Sequence, residues 1–422
     1  MKSTKKFLKV VEIVCSIICS EGYCWRSKKR QEDFSRVRKM SFTDYIFAII
    51  RGTKTSLQAG LNAFFDTQKK NKIEYSKQAF SKGRQRIKPE AFLELFQATV
   101  DAFYKEGDSL CWRGYHLLGI DGTKLNLPCT SELNELYGAQ TSHGAPQVQA
   151  LVSCLYDLLN GVIVDVRFTG CKSSERDAAQ DMIASFPAQT ISNPVFIMDR
   201  GYPSAVLIDT IIQSGHKFVM RCPTEFLRSM ELPLADNTFE YKFAKLNHPL
   251  QIRAVKVQIS SNTTEYLVTN LFESDISLKD FKQLYASRWG IESKYNDIKN
   301  KLEIENFTGY SPDAVLQDFY ATLFLSNLVA ALEFDLRDEI KAAHSNPENK
   351  YTYKMNVSLA ISELKRSVIE MIAAPSLIRR KHLFRQIRKR LIKAVVPVRP
   401  DRSFPRERKH KAAKFPQNKK HV

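Results

Sequence analysis

The chain lacks a convincing membrane span. Its best candidate, Phe7–Cys19 (FLKVVEIVCSIIC), is 13 residues long and carries Lys9 and Glu12, whereas a spanning helix needs about 20 apolar residues. No small-residue cleavage site follows it, so an export signal is not expected either. The segment reads instead as a buried amphipathic helix. Cysteine is sparse: eight in 422 residues, without regular spacing, exclude a disulfide scaffold and point to a reducing cytosol. Cys15, Cys19 and Cys24 match no structural zinc spacing. Glycine and proline, 16 each, are too few for collagen-like or low-complexity architecture. A 43% hydrophobic, 26% charged composition excludes wholesale disorder. There is no glycine-rich phosphate loop, so ATP is not an expected ligand. No repeat of fixed period is visible, and the length implies roughly two to four structural units.

Acidic residues are scarce at the ends. The net charge is +19, but residues 1–110 hold 22 basic and 12 acidic groups, residues 379–422 hold 17 and 2, and residues 111–378 hold 25 and 31. Basic ends suit a polyanion, and an acidic middle can gather carboxylates around metal ions. Solubility charge alone explains the same numbers.

Residues 1–110 read as a helical basic region. Apolar residues recur at three-to-four spacing in Tyr45–Ile50 and Ala91–Phe103, and cations cluster in 26–30, 36–39 and 82–88. The period then changes. YHLLGI ends in Asp121-Gly122, VQALVSCLYDLL meets the hairpin signal Asn160-Gly161, VIVDVRF follows, a helix starts at Ser174, and PVFIM ends at Asp199. Residues 205–275 alternate as a separate β-rich piece. A helix capped by Ser277 and Asp280 runs to about Leu302, and others cover 312–343 and 357–372. From Pro397 the chain is basic, poor in apolar residues and expected to be disordered.

Three carboxylates stand out. Asp121 and Asp199 follow apolar strands, and Glu292 shares a helical stripe with Tyr285, Arg288 and Lys299, at spacings of three, four and seven. Each has a plain reading: a turn for Asp121, a cap for Asp199, an i,i+4 ion pair with Arg288 for Glu292. Together they form an oxygen-donor set for a pair of divalent cations in phosphoryl transfer. His143 is a lone histidine, read as structural, and Glu175 in the SERD helix start reads as N-terminal charge stabilisation, with an active-site neighbour role as the alternative.

Three blocks carry a resemblance: Gly119-Ile120-Asp121-Gly122-Thr123, Asp199-Arg200-Gly201-Tyr202, and Tyr285-Ala286-Ser287-Arg288-Trp289-Gly290-Ile291-Glu292 with Lys299. The chain resembles bacterial DDE-class insertion-sequence transposases of the insertion-sequence-four group, whose Tyr-x2-Arg-x3-Glu-x6-Lys pattern is complete here. The resemblance covers about residues 75–335 and implies an α/β, ribonuclease-H-like catalytic core with a β-rich insertion before the third acid. The implied layout is a DNA-binding region at 1–110, core halves at 111–204 and 276–345 around an insertion at 205–275, C-terminal helices at 346–396 and a basic tail at 397–422. It further implies that Asp121, Asp199 and Glu292 are catalytic and hold Mg2+ or Mn2+, two ions. Tyr285, Arg288 and Lys299 would contact terminal DNA phosphates, and Arg200 and Tyr202 would help position DNA. The implied activity is cut-and-paste transposition: cleavage of transposon ends through a hairpin, then joining of the 3′-OH to target DNA by a homodimer in the bacterial cytoplasm, at the nucleoid. A non-cleaving domesticated DNA-binding protein and a metal-dependent nuclease without strand transfer are the alternatives.

Overall fold

The structure is a computed structural model that describes residues 5–36, 38–53, 56–68, 74–105, 107–141, 146–223, 226, 234–260, 263–374 and 376–399. In chain order, helices α1 (Lys6–Ile18), α2 (Glu21–Ser27), α3 (Phe42–Arg51), α4 (Leu57–Thr67), α5 (Lys77–Arg84) and α6 (Glu90–Tyr104) precede strand β1 (His116–Asn126). There follow α7 (Ser131–Tyr137), β2 (Ala139–Gln140), β3 (Gln147–Asp157), β4 (Ile163–Gly170), α8 (Glu175–Ala184), β5 (Pro194–Met198), α9 (Ala205–Gln213) and β6 (Lys217–Cys222). Then come β7 (Asp236–Tyr241), β8 (Leu250–Ser260), β9 (Thr263–Thr269), α10 (Leu278–Ser287), α11 (Trp289–Asn300) and α12 (Pro312–Ala343). After these lie β10 (Thr352–Met355), α13 (Val357–Ala373), α14 (Leu377–Lys393) and β11 (Val395–Val398). The fold is mixed α/β, and the chain divides into two interleaved compact units.

One unit comprises Met1–Glu106, Asn126–Gln149 and Asp297–Val422. Its centre is α12, which packs against α6, α1 and α3. By length and composition α12 is apolar enough to cross a membrane, but 78% of its apolar window is buried inside the protein, as for a core helix that is hydrophobic all round. The N-terminal apolar segment forms α1, with Phe7, Val10, Val11, Val14 and Ile18 buried, as its spacing predicts. Asp335 closes the start of α1 by accepting from the Lys6 and Phe7 N–H groups, both at 3.0 Å.

The other unit, Gly107–Leu125 and Ala150–Asn296, is built on a sheet in the order β3-β1-β5-β6-β9-β8-β7, with β4 paired to β3. β1, β5 and β6 are mutually parallel, while β6–β9, β9–β8, β8–β7 and β3–β4 are antiparallel. The central strands are covered on both faces, which is why PVFIM is a continuous apolar run rather than an alternating one. Val195, Ile197 and Val219 pack with Phe281, Leu284 and Tyr285 of α10, and Phe196 packs against Phe186 on the opposite face.

Several sequence expectations need correction. Residues 205–275 do not form a separate β-rich piece: they open with α9, and their strands extend the same sheet as β1 and β5. Asp121-Gly122 is not a turn, because β1 continues to Asn126. The hairpin expected at Asn160-Gly161 is present as the antiparallel β3–β4 pair, but its connection is longer than two residues, and Asp157 accepts from the Leu159 and Asn160 N–H groups within it. The helix from Ser277 is interrupted at Arg288. Strands β10 and β11 pair in the region expected to be helices and tail, with Tyr353 opposite Pro397. The rest of the basic tail, residues 400–422, lies outside the described residues, as does His143.

Candidate active site

Register builds the site. In the parallel pair β1–β5 the last partners are Ile120 and Met198, and in β5–β6 they are Met198 and Met220. The next residue on each strand is charged: Asp121, Asp199 and Arg221. Three adjacent strands therefore deliver two carboxylates and a guanidinium to one end of the sheet. Glu292 arrives from the first turn of α11.

Arg288 joins the three acids. It is 3% exposed and occupies the single residue between α10 and α11. Its Nη2 lies 2.9 Å from Glu292 Oε1 and 3.6 Å from Asp199 Oδ2, and its Nη1 lies 3.9 Å from Asp121 Oδ2. The guanidinium sits over the rings of Tyr285 and Trp289, at 5.7 and 5.6 Å, while its Nε is buried with no hydrogen-bond partner. The i,i+4 pair with Glu292 is thus real, but it is one edge of a four-residue cluster. Among the described residues, no three His, Cys, Asp or Glu side chains are spaced to share a metal ion.

The two strand-end acids are tuned in opposite directions. Burial pushes Asp121 up to about 6; Glu175 and Glu292 add to this, while the Gly122 N–H and Arg288 oppose it. Burial also acts to raise Asp199, but the Arg200 N–H, the Tyr285 hydroxyl, Arg288 and Arg221 together hold it below the ordinary carboxylate range. Tyr285 donates to Asp199 Oδ1 at 2.8 Å, and the Arg200 N–H does so at 2.7 Å. Arg221 Nη1 lies 3.4 Å from the same oxygen and is itself held by Glu265.

The remaining expected residues divide. Tyr285 and Arg288 face the acids. Arg200 is exposed. Tyr202 is 2% exposed and donates to Glu175 Oε2 at 3.3 Å. Lys299 belongs to the other unit, half-buried, its ammonium lowered by burial against the opposing pull of Glu305. Sequence reasoning gave Glu175 a helix-start role with an active-site neighbour role as the alternative, and missed Arg221. A Cβ placed on Gly122 would come within 2.7 Å of the Glu175 carboxyl, so that carboxyl lies directly on the residue after Asp121. The signal for Arg221 is visible in hindsight: like the two aspartates, it is the charge that ends an apolar run.

Residues 112–328 match the transposase DDE domain family. The chain is 26% identical over 359 residues to transposase InsG for insertion sequence element IS4 of Escherichia coli (strain K12), covering 80% of this chain and 77% of that protein. A cryo-EM structure of a piggyBac transposase synaptic complex with hairpin DNA aligns over 93% of this chain and 87% of its own, at 11% identity and a TM-score of 0.44. The chain belongs to the transposase DDE domain family.

Proposed function

We propose that the protein is a cut-and-paste DNA transposase in which Asp121, Asp199 and Glu292 are the catalytic acids. The observation that carries this reading is the reach of one guanidinium, Arg288, to all three carboxylates. Sequence order supports a ribonuclease-H-like core: β1 bearing the first acid, then the short helix α7, three further strands (β2, of two residues, β3 and β4) and helix α8, then β5, parallel to β1 and followed directly by the second acid.

The donor set has the oxygen chemistry that hard divalent cations take, although Arg288 stands among the three carboxylates and they are not spaced to share one ion; the partnerless Nε of Arg288 is a donor suited to an anionic acceptor such as a phosphate oxygen. Asp121, Asp199 and Glu292 would hold Mg2+ or Mn2+, two ions. Such ions activate an attacking water or 3′-hydroxyl and stabilise the leaving oxygen. The chain supplies the rest. Tyr285, Arg221 and the Arg200 N–H fix Asp199 as an ionised ligand. Arg288 is placed to exchange its carboxylate partners for a DNA phosphate, which a guanidinium can hold bidentately. Lys299 and Arg200 contribute further phosphate contacts. The reaction ends with the 3′-OH joined to target DNA after a hairpin step, within a homodimer at the nucleoid. Residues 1–110 bind the ends.

The test uses purified protein, an end-bearing duplex and Mg2+ or Mn2+. Nicking, hairpin formation and strand joining are expected, and Asp121→Asn and Glu292→Gln are expected to abolish all three. Undiminished cleavage in either variant removes the catalytic assignment. Hydrolysis without joining makes the protein a nuclease.

A further inference from the structure

α14 (LIRRKHLFRQIRKRLIK) carries eight Lys and Arg and no Asp or Glu. Leu383, Phe384, Ile387 and Leu391 bury one face. The cations flanking that face have protein partners: Arg379 with Glu370, Arg388 with Glu339 and Arg390 with Glu363. Arg380 turns inward to the Ala374 carbonyl at 2.9 Å. A second set is different. Lys381, Arg385, Lys389 and Lys393 are exposed, recur every fourth residue, and pair with no acidic group among the described residues.

Like charges four apart on a helix repel, and this stripe stacks four of them without relief. At 1.5 Å per residue it is about 18 Å long. Over that length a DNA duplex presents about ten phosphate charges. An anionic membrane is the weaker match, because a membrane-lying helix offers its apolar face to lipid, and that face of α14 is already packed. The sequence beyond continues the same charge, with eight Lys and Arg against Asp401 and Glu407 in residues 400–422.

We propose that the exposed stripe of α14 is a DNA-backbone contact surface of this transposase, additional to the carboxylate site. It rests on the proposed function only for the choice of DNA as polyanion. The test is a salt titration of duplex binding by fluorescence anisotropy, comparing the full chain with K381Q/R385Q/K389Q. Losing three phosphate contacts should make the slope of log K against log salt shallower by about 2.7, with the melting temperature held or raised as repulsion is relieved. An unchanged slope overturns the proposal. So does a variant that keeps its DNA slope but loses binding to phosphatidylserine vesicles, or whose only change is its oligomeric mass. Nicking by the unmodified chain is scored separately, so loss of the catalytic reading and loss of this one are told apart.

Discussion

Asp121 and Asp199 follow paired residues on neighbouring strands, yet the protein treats their charges differently. Asp121 keeps its proton more tightly in the folded state, at about 6, than an ordinary carboxyl below 4. Its contribution to stability is therefore complete below about pH 4 and lost as pH rises through 6. Asp121→Asn in ion-free protein is expected to raise the unfolding free energy by about 2–3 kcal/mol at pH 7.5, with the gap closing below pH 4. Urea melts at the two pH values measure this, and equal stability at pH 7.5 would show that the carboxylate is not strained. Asp199 is the reverse case. Its lowered pKa stabilises the fold above the unfolded value and is lost as pH falls through the folded one, so Asp199→Asn should destabilise at neutral pH. Gly122→Ala tests the neighbour. The new methyl would displace the Glu175 carboxyl, the end of a flexible side chain, so we expect a stability loss below about 1 kcal/mol but a clear fall in cleavage. Unchanged cleavage would leave Glu175 without a role beside Asp121.

Elements were legible where their pattern is local. The capping box at Ser277 and Asp280 is present as expected, and PVFIM, KFVMR and the 312–343 helix match β5, β6 and α12 closely. α9 was absorbed into a β-rich reading although Leu207, Ile208 and Ile211 follow helical spacing after the Ser204 cap; a short helix between strands offers little sequence to outweigh its surroundings. The break at Arg288 was not legible, because residues on both sides are helical and only the buried charge cluster rewards stopping there. Arg84 illustrates the same limit in α5. It is 1% exposed and donates to Gln317 at 2.8 Å, Thr308 at 2.6 Å and Asp318 at 2.8 Å, tying α5 to α12. Read alone it was one cation of a basic cluster. Arg84→Met should cost about 3–5 kcal/mol by leaving Asp318 uncompensated, measured by chemical denaturation. A loss under 1 kcal/mol would mean the network relaxes freely.

Charge is the whole-molecule property that the sequence displayed most openly, whereas the division into units was hidden. Contiguous segments were the natural guess, but each unit collects stretches separated by long intervals, and such pairings are fixed by packing rather than by any local period. If the acidic site takes divalent ions, the whole chain should register it. Ligands that bind only the folded state stabilise it by about 2.7 kcal/mol at one hundred times their dissociation constant. Mn2+ should therefore raise the melting temperature of the unmodified chain, and this shift should shrink in Glu292→Gln. An equal shift in both would place the ion elsewhere.

Arg288 supplies positive charge to the three acids from within the chain. Because a tethered cation stands among the acids, their mutual repulsion is offset within the chain, and any divalent ion bound there would compete with a neighbour that cannot diffuse away. Removing that residue should then have two faces: tighter apparent ion capture in the absence of substrate, and a poorer grip on the strand once it is bound.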